Sequence, residues 1–302
     1  MSNNVEWSSG SVEIRKDRDQ WGSTIWRLWV GGGKTHRYGM SLEGAVRVAH
    51  KHFGHELNGT SPTSPATSSQ PKRDITRHKC LFIANADYQL DEDRLANPIR
   101  DATMLAKTMR ERGHDVTEEF FVANATLSEM QEVLSEFHEI LEPQDHAFVY
   151  YAGHGLEIKG KAFLLPVDCT VTKPFQIASR AIEMEMVVGS TENCTGRVVV
   201  FDACRGNSVA RRFRSPGVGF GAGSTPRGKG NSYIWFSTGP GSSASDGPSG
   251  DHGPFALALD SALQSNIRLA DLAIQVSNSV LEATNHNQEP WAHQSLRSAL
   301  YI

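Results

Sequence analysis

From Lys79 onward the apolar residues follow two patterns. Short unbroken runs, CLFIANA (80–86), HAFVYYAG (146–153), GRVVVFDAC (196–204) and SYIWFST (232–238), suit strands buried on both faces, since a strand with one wet face would alternate apolar with polar. Between them, apolar residues recur three and four apart over Pro98 to Arg112, Thr126 to Leu141, Pro254 to Gln264 and Leu269 to Ala283, which puts an apolar stripe on one face of a helix. Pro98 suits a first helical turn, where no N–H is needed. A short strand is predicted over Val116 to Val122, and SALYI (298–302) is predicted to close the sheet. Strands alternating with helices predict an α/β/α sandwich around a mainly parallel sheet of about six strands.

The segment before Lys79 reads differently. TSPTSPATSSQPKR (60–73) has almost no large apolar side chain and cannot offset the entropy of ordering by burial. The expected organisation is therefore a small accessory module at 1–58, a Ser/Thr/Pro-rich linker at 59–78 and a main domain at 79–302. Within the module, Val12 to Lys16, Thr24 to Val30 and Lys34 to Tyr38 read as strands, and Ser41 as the N-cap of a helix through His52, a βββα arrangement.

With a formal net charge of -4 over 302 residues, the chain lacks a global field that would draw it to nucleic acid or anionic lipid. The start lacks a secretory pattern and no run reaches the ~18 apolar residues of a membrane span. A cytoplasmic protein with no membrane association is expected. Cys80, Cys169, Cys194 and Cys204 form no CxxC pair, so neither a disulfide framework nor a thiolate zinc site is predicted.

That leaves cysteine chemistry. A cysteine attacks carbonyls as its thiolate, and an imidazole beside it can take the thiol proton and later give one to the leaving amine. His154 and Cys204 each follow a buried-type strand, and in open α/β sheets working groups gather at the carboxyl ends of strands. Around His154, Gly153 and Gly155 allow close approach of a substrate backbone, and the amides of Gly155 and Cys204 are the candidate oxyanion donors. Taken singly, a cysteine at a strand end is usually core and an HG pair usually a turn. Together they match the caspase signature Gln-Ala-Cys-[Arg/Gln/Gly]-Gly with a histidine about 50 residues upstream, because Asp202-Ala203-Cys204-Arg205-Gly206 differs only in its first residue and His154 lies fifty residues earlier.

Through YYAGHG, the hairpin ending FLLPVD, VVVFDACRG and the tail QEPWAHQSL, residues Lys79 to Ile302 resemble the caspase-like (clan CD, peptidase C14) cysteine peptidases. The branch resembled is that of the metacaspases, paracaspases and orthocaspases. The resemblance implies a caspase-like fold, His154 as general base, Cys204 as nucleophile and the two amides as oxyanion hole. Asp202, standing where the signature has Gln, puts a carboxylate two residues before the nucleophile, which favours a substrate Arg or Lys and repels Asp. Asp101 corresponds to a basic-residue-binding Asp of the branch; its bland alternative is a first-turn carboxylate on its own helix. Paracaspases carry a further pocket acid after the strand matching SYIWFST, where this chain offers Ser243 and, three residues on, Asp246 at the rim.

Many metacaspases hold calcium with several carboxylates. Here the segment after Cys204, RGNSVARRFRSPGVGFGAG, supplies arginines and no acid, so no metal, no cofactor and no calcium dependence are expected, and Asp168 after the hairpin is the one nearby acid. The Gly-rich segment from Gly206 to Asn231 with its arginines is a surface loop that this specificity could cut, or a substrate-binding loop left whole. The expected function is an intracellular endopeptidase cleaving proteins or peptides after Arg or Lys, in a stress, defence or cell-death pathway. The alternative is an inactive caspase-homologue scaffold, disfavoured by the intact His and Cys motifs. Tryptophans and basic residues in 1–58 raise nucleic-acid binding, but acids interleave with the bases. Docking to an upstream sensor or adaptor is preferred for that module.

Overall fold

The computed structural model describes residues 5–9, 12–18, 24–30, 33–34, 76–90, 93–158, 161–171, 173–204, 231–239, 244–248, 251–265 and 268–302. At the N-terminus, Val5–Ser9 (β1), Val12–Arg18 (β2), Thr24–Val30 (β3) and Gly33–Lys34 (β4) form an antiparallel sheet in chain order. Val5–Ser9 was not expected as a strand. The helix expected over Ser41 to His52 lies outside the described residues.

The large unit is built on His78–Ala84 (β5), Phe121–Ala123 (β6), His146–Ile158 (β7), Gly196–Cys204 (β10), Asn231–Phe236 (β11) and Trp291–Ser295 (β12), in the order β12-β11-β10-β7-β5-β6. All neighbours are parallel except β11 and β12. A side hairpin is made by Lys161–Leu164 (β8) on the end of β7, with Ile182–Glu183 (β9) beside it.

Alternate residues of the central strands face opposite layers, so their apolar runs need no polar positions. On one face Phe82, Phe148, Tyr150, Val200 and Trp235 meet the helices Pro98–Glu111 (α1), Pro254–Leu263 (α4) and Leu269–Ala283 (α5) through Leu105, Met109, Phe255, Leu259, Leu272 and Val276. On the other, Leu81, Ile83, Val149, Tyr151, Val199 and Phe236 meet Leu127–Ile140 (α2) and Met184–Gly189 (α3) through Met130, Leu134, Phe137 and Val187. Helix α2 begins at a capping box, with Thr126 and Glu129 satisfying each other's backbone N–H groups, a device that contributes about 1 kcal/mol. The α/β/α sandwich and its mainly parallel six-strand path agree with the sequence reading.

Two boundaries differ. The sheet is closed by WAHQS (291–295), antiparallel on β11, rather than by SALYI, whose Tyr301 makes only an isolated bridge to Arg268 while Leu300 and Ile302 fill the core. As an edge strand β12 needs no apolar run, so the pattern that marks central strands is missing from it. The strand predicted over Val116 to Val122 shrinks to three residues after a 3-10 turn at Glu118–Phe120.

Candidate active site

Chain direction reverses at β5: β6 lies to one side of it and β7 to the other. Crevices at such switch points, at the carboxyl ends of the strands, are where ligands bind in open α/β sheets. There β7 leaves one partner for another. It pairs in parallel with β10 as far as His154, opposite Cys204, and from Gly155 to Ile158 it pairs antiparallel with β8. His154 thus sits inside a longer strand than the sequence indicated, at the residue where the strand changes sheets. The register sets His154 and Cys204 opposite each other on neighbouring strands, whose backbones lie about 4.8 Å apart. Gly155, the candidate oxyanion donor, opens the antiparallel segment opposite Leu164.

His154 is held on several sides. Its N–H donates to the Tyr88 hydroxyl at 2.8 Å, its carbonyl accepts from Tyr151 Oη at 2.8 Å, and the Tyr88 ring lies 4.6 Å from the imidazole between centroids. Nε2 stands 2.7 Å from the carbonyl of Asp93. A carbonyl can only accept, so Nε2 carries the hydrogen and Nδ1 is left as the basic nitrogen. Burial pushes the His154 pKa down to about 4, opposed by the charge of Asp246; at neutral pH the ring is a neutral base. Gly153 is required beside it. Its φ is +151°, and a Cβ there would come within 2.8 Å of both the Tyr151 and Tyr88 hydroxyls, the groups that fix His154.

A pocket opens next to Gly153, and its walls include Asp101, Asp202 and Asp246. Asp202 comes from β10, two residues before Cys204, and accepts from the Tyr150 hydroxyl at 2.8 Å. Burial pushes its pKa up to about 6, with the Tyr150 bond opposing. Asp101 lies in the first turn of α1, as expected of a helix-start acid, yet it does not cap its own helix. Its Oδ1 lies 2.7 Å from His252 Nδ1, and Gly253 N–H donates to Oδ2 at 3.1 Å. Burial first, and then the charge of Asp202, raise Asp101 to about 8. Asp246 is brought in by a loop tied to the start of α1. Ala96 N–H donates to its Oδ2 at 2.9 Å, and Asn97 Nδ2 donates to the carbonyls of Asp246 and Pro248. Gln288, from the QEPW run, links that loop to the sheet, accepting from Ser245 N–H and donating to the Ser237 carbonyl.

Three of the four sequence-predicted pocket residues therefore meet in one place, and Ser243 lies outside the described residues, as do residues 206 to 230, for which a surface loop was expected. Asp168 is spoken for: its Oδ1 caps the Leu127 N–H at the start of α2. Among the described residues no group of three His, Cys, Asp or Glu side chains is arranged to hold a metal ion, and no helix is long and apolar enough to cross a membrane. Tyr88, the Asp93 carbonyl, Asn97, His252 and Gln288 were not singled out from the sequence. Tyr150, inside YYAGHG, was on view as part of the motif but read only as core.

A histidine and a cysteine on adjacent strand ends, beside an acidic pocket, are the arrangement that cysteine hydrolase chemistry needs. Residues 77–301 match the family model described as the caspase domain, and the chain belongs to that peptidase family. Among curated proteins it is similar to the human Mucosa-associated lymphoid tissue lymphoma translocation protein 1, 29% identical over 154 residues, which are 50% of this chain and 18% of that protein. The mouse homolog is 28% identical over 152 residues, 50% of this chain and 17% of the relative. The chain thus spans less than a fifth of these relatives. Family match and relatives together support the paracaspase side of the branch that the motifs resemble.

Proposed function

We propose that the protein is a cysteine endopeptidase that cleaves after arginine or lysine, with Cys204 as nucleophile and His154 as general base. The observation that carries this is the convergence of Asp101, Asp202 and Asp246 on one pocket beside Gly153. Three carboxylates so close repel one another, and burial together with that repulsion raises the pKa of Asp101 and Asp202, an arrangement that favours a cationic guest and penalises an acidic one. A guanidinium engages carboxylates through two hydrogen bonds, so Arg is the better guest and Lys the second.

With the substrate's basic side chain in the pocket, its carbonyl lies near Cys204. Nδ1 of His154 takes the thiol proton as sulfur adds to the carbonyl carbon, and the amides of Gly155 and Cys204 donate to the developing oxyanion. Collapse breaks the C–N bond, and the imidazolium passes its proton to the leaving amine. Water, deprotonated by the same imidazole, then releases the acyl group and restores the thiol. No metal enters these steps, and hydrolysis is expected to be the same with and without a calcium chelator.

The test is hydrolysis of fluorogenic peptides ending in Arg, Lys or Asp by wild type, Cys204→Ala and His154→Ala. Expected are Arg first, Lys second and Asp undetectable, with losses of order 10² to 10⁴-fold or more in both variants. Turnover of an Arg peptide by either folded variant at near wild-type rate refutes the dyad. Equal cleavage after Asp and Arg refutes the pocket.

A further inference from the structure

Each pocket carboxylate has a donor from within the chain, but the three donors differ in kind. Asp202 takes the hydroxyl of Tyr150, a fully buried residue of β7, and Asp246 takes a backbone N–H of Ala96. Neither donor can leave without disturbing the sheet or the start of α1. Asp101 takes His252, whose side chain keeps 23% of its surface exposed while that of Asp101 keeps 5%. His252 stands just before Gly253, the N-cap of α4, and 151 residues from its partner in sequence.

We propose that His252 is a placeholder for the substrate's basic side chain: it holds the Asp101 carboxyl while the pocket is empty, and an incoming guanidinium or ammonium binds by taking that carboxyl over. This rests on the reading of the pocket as a cation site. Oδ1 of Asp101 receives the imidazole at 2.7 Å and Gly253 N–H at 3.3 Å, and Oδ2 receives Gly253 N–H at 3.1 Å. The strongest of these contacts, to the imidazole, is the one a substrate cation must replace, and the Gly253 amide can stay in place during the exchange. Asp202 and Tyr150 from the sheet, Asp246 from the loop and Arg100 on α1 complete the charged and titratable surroundings of Asp101. In that setting an unaccompanied third carboxylate is costly, which accounts for a donor on this residue. The elevation of Asp101 to about 8 by burial and then by the charge of Asp202 agrees, since both causes disfavour a bare carboxylate in the empty pocket.

The experiment measures benzamidine binding by calorimetry and KM and kcat for an Arg peptide, on the full chain, in wild type, His252→Ala and His252→Asn. Asn places an amide nitrogen where Nδ1 stood and keeps the bond to Asp101. Loss of a competing hydrogen bond to a charged group predicts that His252→Ala lowers both KM and the benzamidine Kd about fivefold or more. The Asn variant returns both to near wild type, with kcat within about twofold throughout. Empty His252→Ala should melt below wild type and be raised further by benzamidine than wild type is. Unchanged or weaker benzamidine binding in His252→Ala overturns the placeholder and leaves the cation pocket standing. Failure of wild type itself to bind benzamidine or cleave Arg peptides overturns both.

Discussion

Replacing Asp202 by Asn separates the pocket from the catalyst. Asn is the same shape and can still accept from Tyr150, whose hydroxyl lies 2.8 Å from the carboxylate, but it carries no charge for a substrate cation. Truncating one partner of a buried charge pair costs about 2 to 5 kcal/mol. Because Asp246 and Asp101 remain in the same pocket, the lower part of that range applies, about 2 to 3 kcal/mol or roughly 30- to 150-fold in kcat/KM for Arg peptides. Stability moves the other way. A carboxyl raised from 3.8 to about 6 in the folded state contributes stability at low pH that is lost as pH rises from about 4 through 6, and the uncharged amide escapes that loss. Asp202→Asn should therefore melt above wild type at pH 8 and lose that advantage near pH 4. The assay pairs peptide kinetics with thermal melts at both pH values and with the rate of Cys204 alkylation by iodoacetamide, which should not change. An Arg preference intact to within threefold in this variant would refute the assignment of Asp202 as an anchor for the substrate cation.

Other consequences are accessible to simple measurements. Since His154 titrates near 4 while Asp202 and Asp101 titrate near 6 and 8, lowering the pH from 8 to 5.5 should raise KM for Arg peptides as carboxylates take up protons, with kcat little changed; a kcat that falls while KM stays constant contradicts this. Gly153→Ala forces a Cβ onto the Tyr88 and Tyr151 hydroxyls whereas Gly189→Ala meets nothing within 4 Å, so the first should lose about 100-fold or more in turnover and the second should match wild type by the same assay. His78 is fully buried, and burial, then His114 and His146, press its pKa down to about 3. Stability from this neutral ring is complete above 6.5 and is lost as pH falls below it, by about 2 kcal/mol at pH 5. His78→Phe should accordingly show a smaller drop in Tm between pH 7 and pH 5 than wild type.

What could be read from the sequence depended on how local its cause was. The strands β5, β7, β10 and β11 announce themselves because both faces are covered, and Thr126 with Glu129 or Pro98 mark helix starts within one turn of the chain. His154, Cys204, Asp101 and Asp202 stand in or beside contiguous motifs. The edge strand β12 escaped because exposure removes its apolar pattern, and SALYI, apolar for a different reason, drew the assignment instead. His252 escaped because its partner lies 151 residues away, and nothing in the local run DHGPF marks it as more than a residue before a helix. Asn97 and Gln288 are of the same kind, polar side chains whose work is to tie a distant loop. Only their hydrogen bonds reveal it.

The ladder between β7 and β10 runs pair by pair from His146 opposite Gly196 to His154 opposite Cys204. The proposed base and nucleophile are thus counted off in equal numbers of residues from a common starting line, and the sheet serves as a ruler. One residue inserted into either strand ahead of the site would slide the count by a step and, because side chains alternate, turn every later residue of that strand to the opposite face. The two active groups can drift freely apart in sequence, through the helices and loops that join the strands, but within the strands themselves their meeting point is fixed to the single residue.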